Sequence, residues 1–161
     1  LHYGYGYSCH VCLLRPYSRG TVSLASAKYN DAPLINPNFL NDNRDVDTLI
    51  KGAKMTQNIL NTPPLKKYQK REIYGVHSNL TDKEWEQHIR NRADTIYHPV
   101  GTCKMGKDSL AVVNSSLNIR GLKNIRVADA SIMPTITSGN TNAPTIMIGE
   151  KCATMIMDVH R

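Results

Sequence analysis

The sequence predicts an α+β fold in which short antiparallel strands come first, helices follow, and a strand, a loop and a helix close the chain. Three observations predict it. Thr21 to Ser26 alternate apolar and polar side chains, which is typical of a half-buried strand. Thr81 and Glu84 have the spacing of a helix capping box. Pro144 stands at the start of an apolar run, where a proline fits the first turn of a helix.

The first third of the chain is predicted to be sheet. The apolar run from His10 to Leu14 predicts one strand, and Arg15 to Gly20 predicts the turn into the alternating strand. Residues 30–38 are rich in Asn, Asp and Pro, which predicts a loop with a short apolar insertion. This part therefore supplies the antiparallel sheet of the fold.

The middle of the chain is predicted to begin with one long helix. Asn43 or Asp45 can cap it, since short polar side chains satisfy the free N–H groups of a first turn. Its apolar positions recur mostly every three to four residues: Val46, Leu49, Ile50, Ala53, Ile59 and Leu60. Thr62 ends it, because Pro63 pushes the preceding residue out of the helical conformation.

A second helix is predicted to follow the capping box. Its apolar face comprises Trp85, Ile89 and Ala93. These positions are four residues apart, so they lie on one side of a helix. Both middle helices are interpreted as packing elements without chemistry of their own.

The last part is predicted to be strand, loop and helix. Ile125 and Val127 indicate a strand just before Asp129, and the final helix follows Pro144. The final helix is apolar around much of its circumference: Ile146, Met147, Ile148, Ala153, Met155, Ile156 and Met157. A helix of this kind is expected to be buried against a larger body.

Charge and hydropathy indicate which kinds of partner the protein has, nucleic acid or membrane. The 161 residues are enough for one domain with its own core, and they carry a formal charge of +7. The cations are scattered, with the densest group at Lys66 to Arg71, which favours a solvated basic face over nucleic-acid binding. Acidic lipid headgroups are the second interpretation of that face. No segment approaches the ~20 apolar residues of a membrane-spanning helix.

The start of the chain bears on location. Leu1 to Gly6 contain neither the basic nor the apolar region of a signal peptide, which predicts a cytoplasmic protein, with contact to the inner face of a membrane left open. The first residue is leucine, which fits a chain cut from a longer one.

The four cysteines admit two interpretations. Cys9 and Cys12 form a Cys-x-x-Cys pair, and with Cys103 and His98 they could build a zinc site. The segment around the pair, however, contains no Gly or Pro for a metal-binding turn. We therefore expect no metal, and free thiols packed as small apolar groups in a reducing compartment.

The candidate chemistry lies in three segments of the last third: Tyr97–Gly106, Asn124–Ser131 and Ser138–Thr145. His98 precedes Pro99, which biases its backbone to an extended conformation and partly sets the direction of its ring. Imidazole suits the removal of a proton from an alcohol while a hydride leaves the adjacent carbon. His98 is therefore the candidate base.

Together the three segments resemble the C-terminal end of the glucose-methanol-choline (GMC) flavin oxidoreductases, closest to the choline dehydrogenase and long-chain alcohol dehydrogenase branch. Leu14 to Gly20 and Pro33 to Ile35 also match the substrate domain of that family. The resemblance implies that residues 1–92 belong to a substrate-binding domain and that residues 93–161 form the catalytic segment that completes the FAD domain. It also implies FAD as cofactor, an alcohol as substrate and a quinone or oxygen as electron acceptor.

The resemblance implies a role for each site residue. His98 lies beside the flavin ring as the base, and the position three residues before Thr145 places Asn142 across the substrate, with Asn140 as the alternative. An amide can donate a hydrogen bond to the substrate oxygen but cannot take its proton. The cofactor contacts implied by the resemblance are Asp129 and Ala130 at the phosphate and ribityl region, and Asn142, Pro144 and Thr145 at the helix start.

One part of the family pattern is missing. A dinucleotide site needs Gly-x-Gly-x-x-Gly between a strand and a helix, whereas Gly4-Tyr5-Gly6 is followed by Cys9 at the third position. The sequence therefore predicts a C-terminal fragment without the Rossmann half, inactive alone. Intact, it would oxidise a primary alcohol, choline or aliphatic, to an aldehyde by proton abstraction at His98 and hydride transfer to flavin N5. The alternatives are a non-catalytic remnant or interaction module and a small zinc-binding protein.

Overall fold

The computed structural model of the chain describes residues 6–74 and 79–159. The chain falls into two units, the first formed by Leu1–Arg19 and Asn38–Asp94, the second by Gly20–Pro37 and Thr95–Arg161. The predicted division at residues 92 and 93 concerns function and stays a prediction. Most of Leu1 to Gly6, on which the prediction of location and the Gly-x-Gly comparison rest, lies outside the described residues.

The first unit contains the helices α1 (Asn43–Leu60), α2 (Pro63–Lys66) and α3 (Asp82–Arg92). The predicted end of the long helix is confirmed, although Pro63 also opens the short α2. The predicted cap was wrong. Asp42, with an extended backbone, accepts a hydrogen bond from the Arg44 N–H, so the first turn is already capped one residue before Asn43.

The capping box of α3 is confirmed. The Thr81 hydroxyl accepts from the Glu84 N–H at 3.3 Å, and the Glu84 carboxylate accepts from the Thr81 N–H at 2.7 Å. α1 and α3 then pack through Val46, Ile50, Trp85 and Ile89, all buried. Ala93 does not continue that face, because it is the exposed cap residue at the end of α3.

Asp45 faces inward from α1 and is only 1% exposed. Its carboxylate accepts hydrogen bonds from the Tyr17 N–H at 2.8 Å, the Ser18 N–H at 2.8 Å and the Ser18 hydroxyl at 2.6 Å. Burial by itself would raise the pKa of Asp45, but these hydrogen bonds outweigh it and hold that pKa below its ordinary value. The carboxylate thereby fixes the turn at Tyr17 and Ser18 to α1.

The prediction of a strand from His10 to Leu14 was wrong. This segment forms no strand, and its Val11 instead lies against α1, where a Cβ added to Gly52 would come within 2.6 Å of a Val11 methyl group. A short apolar run does not reveal whether its partner is a strand or a helix. Cys9 and Cys12 are exposed in this chain, contrary to the expectation of packed thiols, while Cys152 is buried.

The second unit contains the antiparallel strands β1 (Thr21–Ser23) and β2 (Leu34–Asn36), with Thr21 opposite Asn36 and Ser23 opposite Leu34. The strand predicted from Thr21 to Ser26 is confirmed but shorter, since β1 ends at Ser23. Both strands are exposed in this chain rather than half-buried. The apolar insertion predicted inside a loop is β2 itself. Cross-strand pairing, which sequence spacing does not display, makes it a strand.

The rest of the second unit is a loop-rich segment followed by a short 3₁₀ helix (Ala130–Ile132) and α4 (Asn142–Val159). Its core comprises Val113, Leu117, Ile132, Met133, Ile148 and Cys152. The strand predicted at Ile125 and Val127 was wrong, because only an isolated bridge between Asn118 and Arg126 forms beside it.

α4 begins at Asn142, two residues before Pro144 and not after it, so Pro144 lies inside its first turn. One side of α4 contributes to the core, while Ile146, Met147, Ile156 and Met157 are 43–59% exposed. The expectation that a larger body covers them stays a prediction. No helix within the described residues is long and apolar enough to span a membrane.

Candidate active site

His98 is positioned by an unusual backbone on one side and a proline on the other. Tyr97 has φ 63, a left-handed conformation that non-glycine residues rarely adopt, and Pro99 restricts the backbone that follows. The Nδ1 atom of His98 lies 3.0 Å from the Thr141 hydroxyl oxygen and 3.4 Å from the Thr141 main-chain nitrogen. The half-buried ring is thus held at the start of α4.

The segment after His98 runs beside the 3₁₀ helix. The Cys103 N–H donates to the Ser131 carbonyl at 3.0 Å, and the Met105 N–H donates to the Ile132 carbonyl at 2.8 Å. Gly101 permits this approach, since its φ is +91 and a Cβ there would lie 3.3 Å from the Met133 carbonyl oxygen. The first and second sequence segments are therefore joined by backbone hydrogen bonds.

The loop beyond Met105 is held by charged side chains. Lys104 Nζ lies 3.0 Å from an Asp108 carboxylate oxygen, and the hydrogen bond from Lys104 lowers the pKa of Asp108 below its ordinary value. Arg120 donates to the carbonyls of Gly106 at 3.0 Å and Asp108 at 2.7 Å. These two cations are engaged in holding the loop that supports the site.

Asp129 caps the 3₁₀ helix. Asp129 is exposed; one oxygen of its carboxylate accepts from the Ser131 N–H at 2.8 Å, and the second has no hydrogen-bond partner in residues 6–74 and 79–159. A carboxylate only accepts hydrogen bonds and repels phosphate. Its chemistry therefore fits the hydroxyl groups of a ribityl chain better than a phosphate group. Ala130 is half-buried beside it.

The first turn of α4 presents polar groups next to His98. Asn142 is exposed, and the N–H groups of Asn142 and Ala143 lie at the positive end of the helix, where no intrahelical carbonyl reaches them. Pro144 has no N–H, and Thr145 donates both its N–H, at 3.0 Å, and its hydroxyl, at 2.6 Å, to the Thr141 carbonyl. Asn140, also exposed, lies in the loop before Thr141.

This arrangement fits one side of a flavin. An imidazole, an exposed amide, free main-chain N–H groups and a carboxylate suit a ring that gains negative charge and a chain of hydroxyl groups. The roles of the individual residues stay predictions. In the described part of the chain no group of three or more His, Cys, Asp or Glu residues could hold a metal ion, so these residues do not form the zinc site of the alternative hypothesis.

Sequence reasoning missed two features of the site. Thr141, which binds the ring of His98, lies 43 residues away along the chain. Nothing in the sequence indicates the left-handed backbone of Tyr97. Thr141 stands directly before a helix, where threonine is favoured as a cap, but that signal does not identify a histidine as its partner.

Comparisons with known proteins agree with the sequence resemblance. The family model described as GMC oxidoreductase matches residues 16–149. An alcohol dehydrogenase [acceptor] of Pseudomonas putida is 53% identical over 154 residues, which cover 96% of this chain and 28% of that protein. An oxygen-dependent choline dehydrogenase of Cronobacter sakazakii is 44% identical over 149 residues, covering 92% of this chain and 27% of that protein.

A solved structure supports the fold. A formate oxidase of Aspergillus oryzae, determined in a study of FAD modification, superposes with a TM-score of 0.83 at 33% identity. The match covers 92% of this chain and 26% of that chain. The chain thus spans little more than a quarter of the length of the proteins it matches.

Proposed function

This chain belongs to the GMC oxidoreductase family, whose members depend on FAD, and from that premise we propose that it is the C-terminal part of an enzyme that oxidises a primary alcohol to an aldehyde. The rest of the enzyme would supply the dinucleotide-binding half. Its curated relatives include alcohol and choline dehydrogenases, which support an alcohol substrate and a separate electron acceptor.

One observation carries the proposal. Nδ1 of His98 is bound to Thr141, whereas Nε2 has no hydrogen-bond partner within residues 6–74 and 79–159. A neutral histidine with one nitrogen held can take a proton on the open nitrogen when the proton of the ring is on the held one. His98 therefore removes the hydroxyl proton of the alcohol, while FAD, when bound, supplies the hydride acceptor at N5.

Asn142 orients the alcohol in this proposal. Its exposed amide can donate a hydrogen bond to the substrate oxygen, and the positive end of α4 adds to the stabilisation of developing alkoxide charge. Since an amide takes no proton at neutral pH, the base role rests on His98 alone. Asp129, Ala130, Pro144 and Thr145 would contact the cofactor.

We favour an uncharged primary alcohol as substrate. Identity is higher to the alcohol dehydrogenase, 53%, than to the choline dehydrogenase, 44%, and the chain carries a formal charge of +7. Choline is the second candidate, because Tyr97 beside His98 is 75% exposed and an aromatic face attracts a quaternary ammonium. The test is to measure turnover of a linear aliphatic alcohol and of choline, each once with a quinone and once with oxygen as the electron acceptor. The pair with the highest turnover identifies the substrate and the acceptor.

The experiment that tests the base is His98→Ala in the complete flavoprotein. We expect turnover to fall by roughly 10²–10⁴-fold, the usual contribution of a general base, with flavin content retained. His10→Ala is the matched control, because the ring of this exposed histidine has a hydrogen bond to Ser8 and takes no part in the candidate site. Normal turnover of a folded, flavin-loaded His98→Ala enzyme would falsify the assignment. A complete protein that binds no flavin would instead favour a non-catalytic interaction module.

For location we propose a cytoplasmic enzyme that contacts the inner face of a membrane through the basic segment Lys66–Arg71. Its four cations and Tyr68 are exposed, and exposed cations attract anionic headgroups. Co-sedimentation with phosphatidylserine vesicles, but not with phosphatidylcholine vesicles, is the expected result. Equal sedimentation after Lys66, Lys67 and Lys70 are changed to Gln would remove the segment from this role.

A further inference from the structure

We propose that residues 8–13 are an interaction surface whose main chain pairs, as a β-strand, with an extended segment from the rest of the enzyme. This pairing rests on the proposed function, in which the chain is the C-terminal part of a longer enzyme. It gives a role to a part of the molecule that lies outside the candidate active site.

Residues 8–13 are held along α1 from one end of the helix to the other. Before them, the Tyr7 hydroxyl donates to the carbonyl of Leu65, beyond the C-terminal end of α1, at 3.3 Å. In their middle, Val11 lies against Gly52, which has no side chain to keep it away. After them, the turn bound by Asp45 is fixed to the first turn of α1. The helix therefore occupies one side of the segment and leaves its other sides open.

The main chain of residues 8–13 is unpaired in this chain. None of its N–H or C=O groups has a main-chain hydrogen-bond partner within residues 6–74 and 79–159. A row of open N–H and C=O groups is what the edge of a sheet offers to an added strand. These groups need partners wherever a covering body excludes water from them.

The side chains indicate that such a covering body exists. Cys9, Val11 and Cys12 are exposed and Leu13 is half-buried, and Leu14, the next apolar residue, is 50% exposed. A nearly continuous apolar run is typical of a strand that is covered on both faces. Because α1 covers only one side, the apolar pattern calls for a second layer that this chain does not supply.

The rest of the enzyme is the occupant that fits this surface. The chain spans 28% of the Pseudomonas putida relative and 27% of the Cronobacter sakazakii relative, so most of such an enzyme lies outside it. A partner segment on the same polypeptide is present at a high effective concentration. Its pairing would therefore be independent of protein concentration, whereas pairing with a second copy of the chain would not.

Amide hydrogen exchange in the complete flavoprotein tests the pairing. We expect the amides of residues 9–13 to exchange at least about 100-fold more slowly than in a free peptide of the same sequence. The amides in the middle of α1 serve as the protected reference in the same protein. Exchange at the rate of the free peptide would overturn the proposal. Protection that disappears on dilution would also overturn it, because the partner would then be a second copy.

Proline variants separate pairing from mere coverage. Val11→Pro and Cys12→Pro each remove one N–H, and successive N–H groups of a strand point to opposite edges. At least one variant should therefore lower the protection of the remaining amides roughly tenfold, the effect of one lost hydrogen bond. Val11→Ala and Cys12→Ala keep the N–H and are the matched controls. Unchanged protection in both proline variants would reject the strand.

The exchange measurement does not depend on turnover, so the pairing and the proposed function fail separately. Protection of residues 9–13 in a complete protein that oxidises no alcohol would support the pairing and reject only the proposed function. Free exchange in an active flavoprotein would reject only the pairing. His98→Ala, which is expected to lose turnover, should keep the protection of the wild type.

Discussion

Asp45 and His98 are polar side chains held by hydrogen bonds in different units, yet their surroundings differ. The carboxylate of Asp45 is buried and surrounded by three donors from Tyr17 and Ser18. The ring of His98 is half-buried, with one nitrogen bonded to Thr141 and the other without a partner in the described residues.

The difference separates scaffold from chemistry. A buried carboxylate with its donors in place stabilises the fold, because removing it leaves those donors without an acceptor. A partly exposed imidazole with one open nitrogen adds little stability but keeps the capacity to exchange a proton. We therefore expect changes around Asp45 to alter stability and changes around His98 to alter turnover.

Among the changes that test this comparison, Asn142→Ala in the complete flavoprotein is expected to have the largest effect, and the effect is on turnover. Loss of one donor to developing negative charge should lower kcat by about 10²–10³-fold. The free energy of unfolding should change by less than about 0.5 kcal/mol, because the side chain is exposed. Steady-state kinetics and urea denaturation measure the two quantities.

Asn140→Ala is the matched control for that experiment, since Asn140 is also exposed and lies two residues earlier. It should leave kcat nearly unchanged. If Asn140→Ala lowers kcat and Asn142→Ala does not, the orienting amide is Asn140.

The opposite pattern is expected from Asp45→Ala. The free energy of unfolding should fall by about 2–3 kcal/mol, because the buried donors of Tyr17 and Ser18 lose a charged acceptor. Turnover per flavin-loaded molecule should be unchanged. Urea denaturation checks the first value, with the exposed Asp47→Ala on the same helix as control. A loss of turnover without a loss of stability would contradict the assignment of Asp45 to the scaffold.

A smaller effect, on the free energy of unfolding, is expected when the pH is lowered. The pKa of Asp45 in the folded chain lies below its ordinary value, so its contribution to stability is complete above the unfolded pKa of about 3.9 and is lost as the pH falls through the folded value. The difference in unfolding free energy between the wild type and Asp45→Asn should therefore shrink below about pH 4. Asp42, whose pKa hydrogen bonds from Arg44 lower to about 2, is present in both proteins and cancels. A constant difference down to pH 2.5 would show that the charge of Asp45 contributes nothing.

The elements predicted correctly depend on nearby residues. The capping box of α3 involves residues three apart, and α1 ends where Pro63 constrains Thr62. The elements predicted wrongly depend on distant partners. Val11, in the segment from His10 to Leu14, lies against Gly52 of α1 instead of in a strand, and the apolar run at Leu34 becomes β2 because it pairs with β1.

The sequence by itself determined the family, the limits of the middle helices to within a residue or two, and the three segments that carry the candidate site. Each rests on residue identity or on hydrogen bonds between near neighbours. Only the tertiary structure decided that Asp45 holds a turn instead of capping a helix, and that Thr141 binds His98. Those outcomes depend on how distant segments pack, because a buried polar group must find its hydrogen-bond partner wherever folding places one.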